Sequence, residues 1–239
     1  METKSFYERP EVFHEVIESK RSDICHKLIT EVIRRTEKNN IRILDVGCGD
    51  GSFISRFRNC CEVFGVDISE NALRIAEKNE VNVHRLNLSC ERLPFGKSYF
   101  DVVYVGDVIE HLLDPDFTIR EVRRVIHPQG SLVLSTPNLA SWLNRLLLLL
   151  GNQPLFSEVS TSKIFGRPGS IPVGHLRLFT YKALLEFLKF YGFKLTKVVG
   201  APFEMLPGSI GKIDSCISRI PSISSIIIVV ARTTIQNGH

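Results

Sequence analysis

The stretch IRILDVGCGDGSF, residues 41–53, constrains the fold more than any other part of the chain. Ile41, Ile43, Leu44 and Val46 read as a buried strand, and Gly47, Gly49 and Gly51 follow at once. Glycine lets a chain turn tightly and lie close to a ligand where a Cβ would intrude. A second apolar strand closes FRNCCEVFGVDIS, residues 57–69, and ends at Asp67, twenty positions beyond Gly47. In a βαβ unit an acid at that distance is placed to accept hydrogen bonds from the vicinal hydroxyls of a ribose.

Two classes of nucleoside ligand compete for this arrangement. Dinucleotide sites use G-x-G-x-x-G, in which the last glycine serves helix packing and the helix start meets a pyrophosphate. Here Gly51 is followed by Ser52, Asp45 precedes the loop and Asp50 lies inside it. Two carboxylates would repel a pyrophosphate but attract the ammonium and sulfonium charges of S-adenosylmethionine. The spacing predicts a crevice for a cationic nucleoside.

The blocks ILDVGCGDG (43–51), VFGVDIS (63–69), LNLSCERLPF (86–95), FDVVYVGDVIEHLLDP (100–115) and EVRRVIHPQGSLVLSTPN (121–138) follow one another at fixed spacing. In these the chain resembles the class I S-adenosylmethionine-dependent methyltransferases, especially the small-molecule group with a type 11 methyltransferase domain. The resemblance implies an α/β, Rossmann-like fold with a seven-stranded, mostly parallel sheet, a reversed last strand and helices on both faces. It also implies methyl transfer, with S-adenosylhomocysteine as product. Carried over by position, Asp45, Gly47, Cys48, Gly49 and Gly51 line the methionine part of the cofactor, Asp67 holds the ribose, and Ile68 packs near the adenine. Asn87, with Leu88 beside it, stands where many members have Asp near the adenine amine, and Val105 approaches the reactive end.

Asp107, Glu110 and His111 follow the fourth strand and are expected on one face of a short helix. Three readings stay open. Asp107 could cap the helix while Glu110 and His111 serve its first turn and packing. The three could instead converge on a divalent ion, Mg²⁺ or Zn²⁺, with His175 as fourth ligand. His111 or His175 could also act without metal as the base that takes the acceptor's proton. Some ubiquinone-biosynthesis and small-RNA end-methylating methyltransferases have a similar E-x-x-E-H arrangement completed by a later His; here the first acid is Asp107, one methylene shorter.

Residues 139–174 depart from strand-helix alternation and are expected to form a lid that selects the acceptor. Trp142, Leu143, Leu146, Leu147, Phe156 and Phe165 are its apolar wall candidates, with Asn138 and Arg145 for polar recognition. The run Leu146–Leu150 is open to three uses: core packing, a homodimer contact, or transient contact with lipid. It is far too short to span a bilayer, which takes about 20 residues. Residues 11–37 have the spacing of amphipathic helices within an N-terminal helical segment, 1–40, and 202–223 read as a second excursion near the acceptor, where Glu204 and Met205 are weak pocket candidates.

With 30 basic against 26 acidic residues and no Lys/Arg block, nothing singles out nucleic acid as a partner. Six scattered cysteines and a polar opening, METKSFYERPEVF, fit reduced thiols and a cytoplasmic location. The expectation is one domain over residues 1–239 that methylates a small molecule, aromatic or lipid-like, at a hydroxyl oxygen. The alternative is a non-catalytic subunit that binds the same cofactor.

Overall fold

The computed structural model describes residues 19–167 and 172–234. The parts of the N-terminal segment before residue 19 and of the 139–174 segment at 168–171 lie outside the described residues. The elements run α1 (Lys20–Arg34), β1 (Ile41–Val46), β2 (Cys61–Asp67), α2 (Glu70–Lys78), β3 (Asn82–Arg85), β4 (Phe100–Gly106), α3 (Pro115–Val125), β5 (Ile126–Pro137), α4 (Trp142–Leu149), α5 (Tyr181–Phe190), β6 (Phe193–Ala201), α6 (Gly208–Ile217) and β7 (Ile226–Thr233). Short 3₁₀ turns lie at Ile54–Phe57 and Ile109–His111.

The strands form one seven-stranded sheet in the order β3-β2-β1-β4-β5-β7-β6. β1 to β5 pair in parallel, and β7 runs antiparallel between β5 and β6. This is the expected sheet with its reversed last strand. The order of strands changes direction between β1 and β4, so the carboxyl ends of those two open a crevice there.

Alternation along the strands supplies two cores, one on each face. Leu44 and Val46 pack with Ile119, Val122, Leu184 and Leu188 of α3 and α5. Ile41 and Ile43 face the other way, against Cys25, Leu28 and Ile29 of α1 and Ala76 of α2. Helix starts carry their own caps: Ser19, Ser69, Asp114, Ser141 and Thr180 each accept a backbone N–H of the first turn. Gly192, at φ 76°, follows the end of α5 as its left-handed cap. A register shift interrupts the pairing of β4 with β5, where Phe100 pairs with Ile126 and Val102 with Ser131.

Candidate functional site

The glycine loop leaves β1 with Gly47, Gly49 and Gly51 at φ 79°, 53° and 70°, a region that side chains rarely adopt. At Gly47 a Cβ would also meet Val108 at 2.4 Å, whereas at Gly49 it would enter open space. The loop is therefore closed against the protein at Gly47 and open at Gly49. Asp67 ties it to β2: Oδ2 accepts the Gly49 N–H at 2.9 Å and Oδ1 the Ser69 N–H at 2.8 Å. Each carboxylate oxygen keeps a further lone pair, the capacity that a ribose diol requires.

Carboxylates dominate this end. Burial, then the neighbouring Asp67, push Asp45 up to about 8, and burial raises Asp67 as well. A positive ligand relieves such a cluster and a pyrophosphate would aggravate it, so the donor set fits a sulfonium nucleoside. The cation already present is Arg21 of α1. Its Nε lies 2.9 Å from Asp107 Oδ2 and its Nη1 donates to Tyr104 Oη at 3.3 Å. Sequence reading missed Arg21, although it shares the buried helix face of Cys25 and Leu28 at positions i, i+4 and i+7.

The other residues expected at the cofactor lie at or just beyond the carboxyl ends of β1 to β4. Asn87 Oδ1 accepts the Ser89 N–H at 3.0 Å, and Leu88 and Ile68 offer carbonyls that Thr118 and Arg85 already use. The Cys48 side chain is seated on Gly65, where an added Cβ would lie 2.6 Å from its Sγ, and burial raises its thiol well above the usual range. Val105 is packed in the core. Both side chains are thus buried within the protein.

Beyond β4 the helix expected at Asp107 is a three-residue 3₁₀ turn without a side-chain cap. Asp107 stands outside it at φ 53°, its Oδ1 accepting from Ser135 Oγ at 2.8 Å and its Oδ2 paired with Arg21. Glu110 is fully buried; Oε2 accepts from Thr136 Oγ1 at 2.9 Å, while Oε1 has no hydrogen-bond partner among the described residues. Burial and then Asp107 hold this carboxyl well above the ordinary carboxylate range.

The 172–177 segment crosses over this turn. Leu176 and Arg177 donate their N–H groups to the Glu110 carbonyl, which carries His175 to His111, with ring centroids 4.7 Å apart. His111 Nδ1 lies 3.2 Å from the Gly174 carbonyl and His175 Nδ1 2.9 Å from the Phe156 carbonyl. A carbonyl only accepts, so Nδ1 carries the hydrogen in both rings and Nε2 is the nitrogen whose lone pair could ligate. Burial foremost lowers both imidazoles to about 4, with their mutual repulsion adding to the fall at His111. Glu110, His111 and His175 each place a ligand atom within 4.8 Å of the others. Asp107 is engaged by Arg21 and Ser135 and stands outside that group.

The lid candidates divide. Phe156, at φ 66°, packs edge-on against His175 and Phe203 and walls the imidazole pair. Trp142 Nε1 donates to the buried Asp214 at 2.7 Å. Asn138 is buried and bonded to Ser222, Ser224 and Ala140, so it braces the sheet end and is not a recognition group. Arg145 is exposed and holds the Ala140 carbonyl. Leu146 and Phe165 are exposed, as is Met205, while Glu204 accepts the Lys20 N–H.

Residues 44–134 match a family described as a methyltransferase domain. A ubiquinone biosynthesis O-methyltransferase of Pelagibacter ubique is 32% identical over 113 residues, 44% of this chain and 47% of that protein. A ubiquinone/menaquinone biosynthesis C-methyltransferase of Vibrio parahaemolyticus is 30% identical over 144 residues, 52% of this chain and 55% of the relative. The chain thus spans about half the length of the curated relatives it matches. A solved S-adenosylmethionine-dependent methyltransferase of Thermotoga maritima shares the fold at a TM-score of 0.61 and 19% identity, covering 97% of this chain and 99% of that one. By its sheet order and its acid-lined glycine loop the chain has the fold of the class I S-adenosylmethionine-dependent methyltransferases, and its residues 44–134 match their methyltransferase domain.

Proposed function

We propose that the chain transfers a methyl group from S-adenosylmethionine to a hydroxyl oxygen of a small molecule, and that Glu110, His111 and His175 form the acceptor end of the site. The observation that carries the oxygen reading is the buried Glu110 Oε1, without a partner among the described residues and beside two neutral imidazoles. The cofactor supplies a methyl group already activated by its positive sulfur, so the protein's work is alignment and removal of the acceptor's proton. In this reading Asp67 grips the ribose, Asp45 faces the methionine ammonium, and Arg21 keeps Asp107 turned away from the sulfonium.

An imidazole whose conjugate acid stands near 4 is a weak resting base, yet it is ready to ligate because no proton has to leave it. Two imidazoles and one carboxylate match the three-ligand set of catalytic zinc better than the oxygen shell that Mg²⁺ prefers. A cation held there would stabilise the acceptor as its oxyanion. Phe156 and Phe203 give the acceptor an aromatic wall.

The test is methyl transfer from methyl-labelled cofactor to a panel of phenols, catechols and aliphatic alcohols, with and without a chelator. Labelled ethers whose formation stops on chelation and returns with Zn²⁺ support the reading. Label on carbon or nitrogen overturns the oxygen assignment, and chelator-resistant ether formation overturns the cation.

A further inference from the structure

The end of α4 is apolar on every side. Leu146, Leu148, Leu149 and Leu150 are 44%, 56%, 82% and 66% exposed. Successive helical residues lie about 100° apart, so with Leu147 these side chains encircle the last turn and do not form one stripe. A helix resting on a flat protein face needs an apolar stripe; one ringed with leucine suits immersion.

The backbone of that turn is prepared for a dry medium. Leu150 N–H donates to the Leu146 carbonyl, Asn152 N–H to Leu147 and Gly151 N–H to Leu148, while the Asn152 side chain reaches the Leu150 carbonyl at 3.4 Å. Gly151, at φ 74°, makes this reversal feasible. Carbonyls that a helix end usually leaves to water are bonded, which is the condition for entering hydrocarbon.

The exposed charge of α4, of the described loop after it to residue 167 and of α6 has one sign. Trp142 joins α4 to α6 through Asp214, and α6 with its flanks exposes Met205, Ile210, Ile213 and Ile220. Across residues 142–167 and 205–220 the acids are Glu158 and Asp214. Asp214 is fully buried. The Glu158 side chain is 5% exposed and accepts the Val173 and Gly174 N–H groups. Arg145, Lys163, Lys212 and Arg219 are exposed. We infer that α4 and α6 seat the protein on an anionic phospholipid surface, the leucine-ringed turn entering the acyl boundary and the four cations meeting the headgroups. No helix among the described residues is long and apolar enough to cross a membrane, so the mode is surface seating. The same excursion carries Phe156 and Glu158, which lie against His175.

The experiment is co-sedimentation of the full chain with vesicles of phosphatidylcholine alone and of an equal mixture with phosphatidylglycerol, beside the Leu148→Ser/Leu149→Ser variant. Binding to the anionic vesicles, weakened by salt and reduced roughly tenfold or more in the variant, supports the inference. Both leucines are exposed, and cofactor binding by the variant, read separately, controls for its fold. Wild-type chain that stays in the supernatant, or a variant that sediments like wild type, overturns it. A dimer in light scattering that the variant breaks, without vesicle binding, also overturns it by giving the leucines to a second copy.

Discussion

The two ends of the crevice are built on opposite electrostatic plans. At the β1–β2 end, carboxylates crowd around backbone N–H groups, and Asp45 rises to about 8 because it is buried, with the neighbouring Asp67 adding to the rise. At the end beyond β4, imidazoles fall to about 4 because burial disfavours positive charge. The first end gains from a cation that arrives on the cofactor. The second holds neutral nitrogen lone pairs beside a carboxylate, a set that gains from a cation of its own or from an acceptor's hydrogen. Arg21 and Asp107 stand between them as a charge-balanced partition.

The comparison breaks first at the acceptor end. His175→Ala should lower turnover about 10²-fold or more while leaving the dissociation constant of S-adenosylmethionine within about twofold of wild type; equal losses in both, measured by single-turnover rate and calorimetry, would merge the two ends. Asp67→Ala should do the reverse, weakening cofactor binding by about 2–3 kcal/mol, roughly 30–160-fold, because two ribose hydroxyls lose a charged acceptor.

Arg21→Met leaves Asp107 without its partner. Since both side chains are about a quarter exposed, screening limits the expected loss to about 1–2 kcal/mol in denaturant unfolding. A gentler probe is pH. Near neutrality Asp45 is largely protonated in the free protein, and a sulfonium ligand favours its ionised form, so binding expels the proton. Cofactor affinity should then climb from about pH 6 to about pH 8, by no more than tenfold per unit, and level off above that. The slope should vanish in Asp45→Asn. The smallest effect is expected from Asn87→Ala, a few-fold in affinity, because its Oδ1 also serves Ser89.

The cofactor end was legible in the sequence because it is local. Gly47, Gly49, Gly51 and Asp67 belong to one β-loop-β passage whose spacing is fixed by strand and helix lengths, and Leu44 and Val63 alternate as strand residues must. The acceptor end joins residues 107–111 to 156–158 and 174–175, and no periodicity records that crossing. His175 was anticipated through resemblance, whereas its anchorage by Phe156 and the removal of Asp107 by Arg21 depend on how α1 lies on the sheet. Core packing for Leu146–Leu150 was equally open from composition. Exposure decides against it, because solvent surrounds a turn that hydropathy alone would bury.

The most direct test is a crystal structure grown with S-adenosylhomocysteine and Zn²⁺, recorded with anomalous scattering at the zinc edge. The account predicts the ribose hydroxyls on Asp67 and an anomalous peak ligated by Glu110, His111 and His175. A nucleoside whose sugar avoids Asp67, or zinc bound only elsewhere, would contradict it.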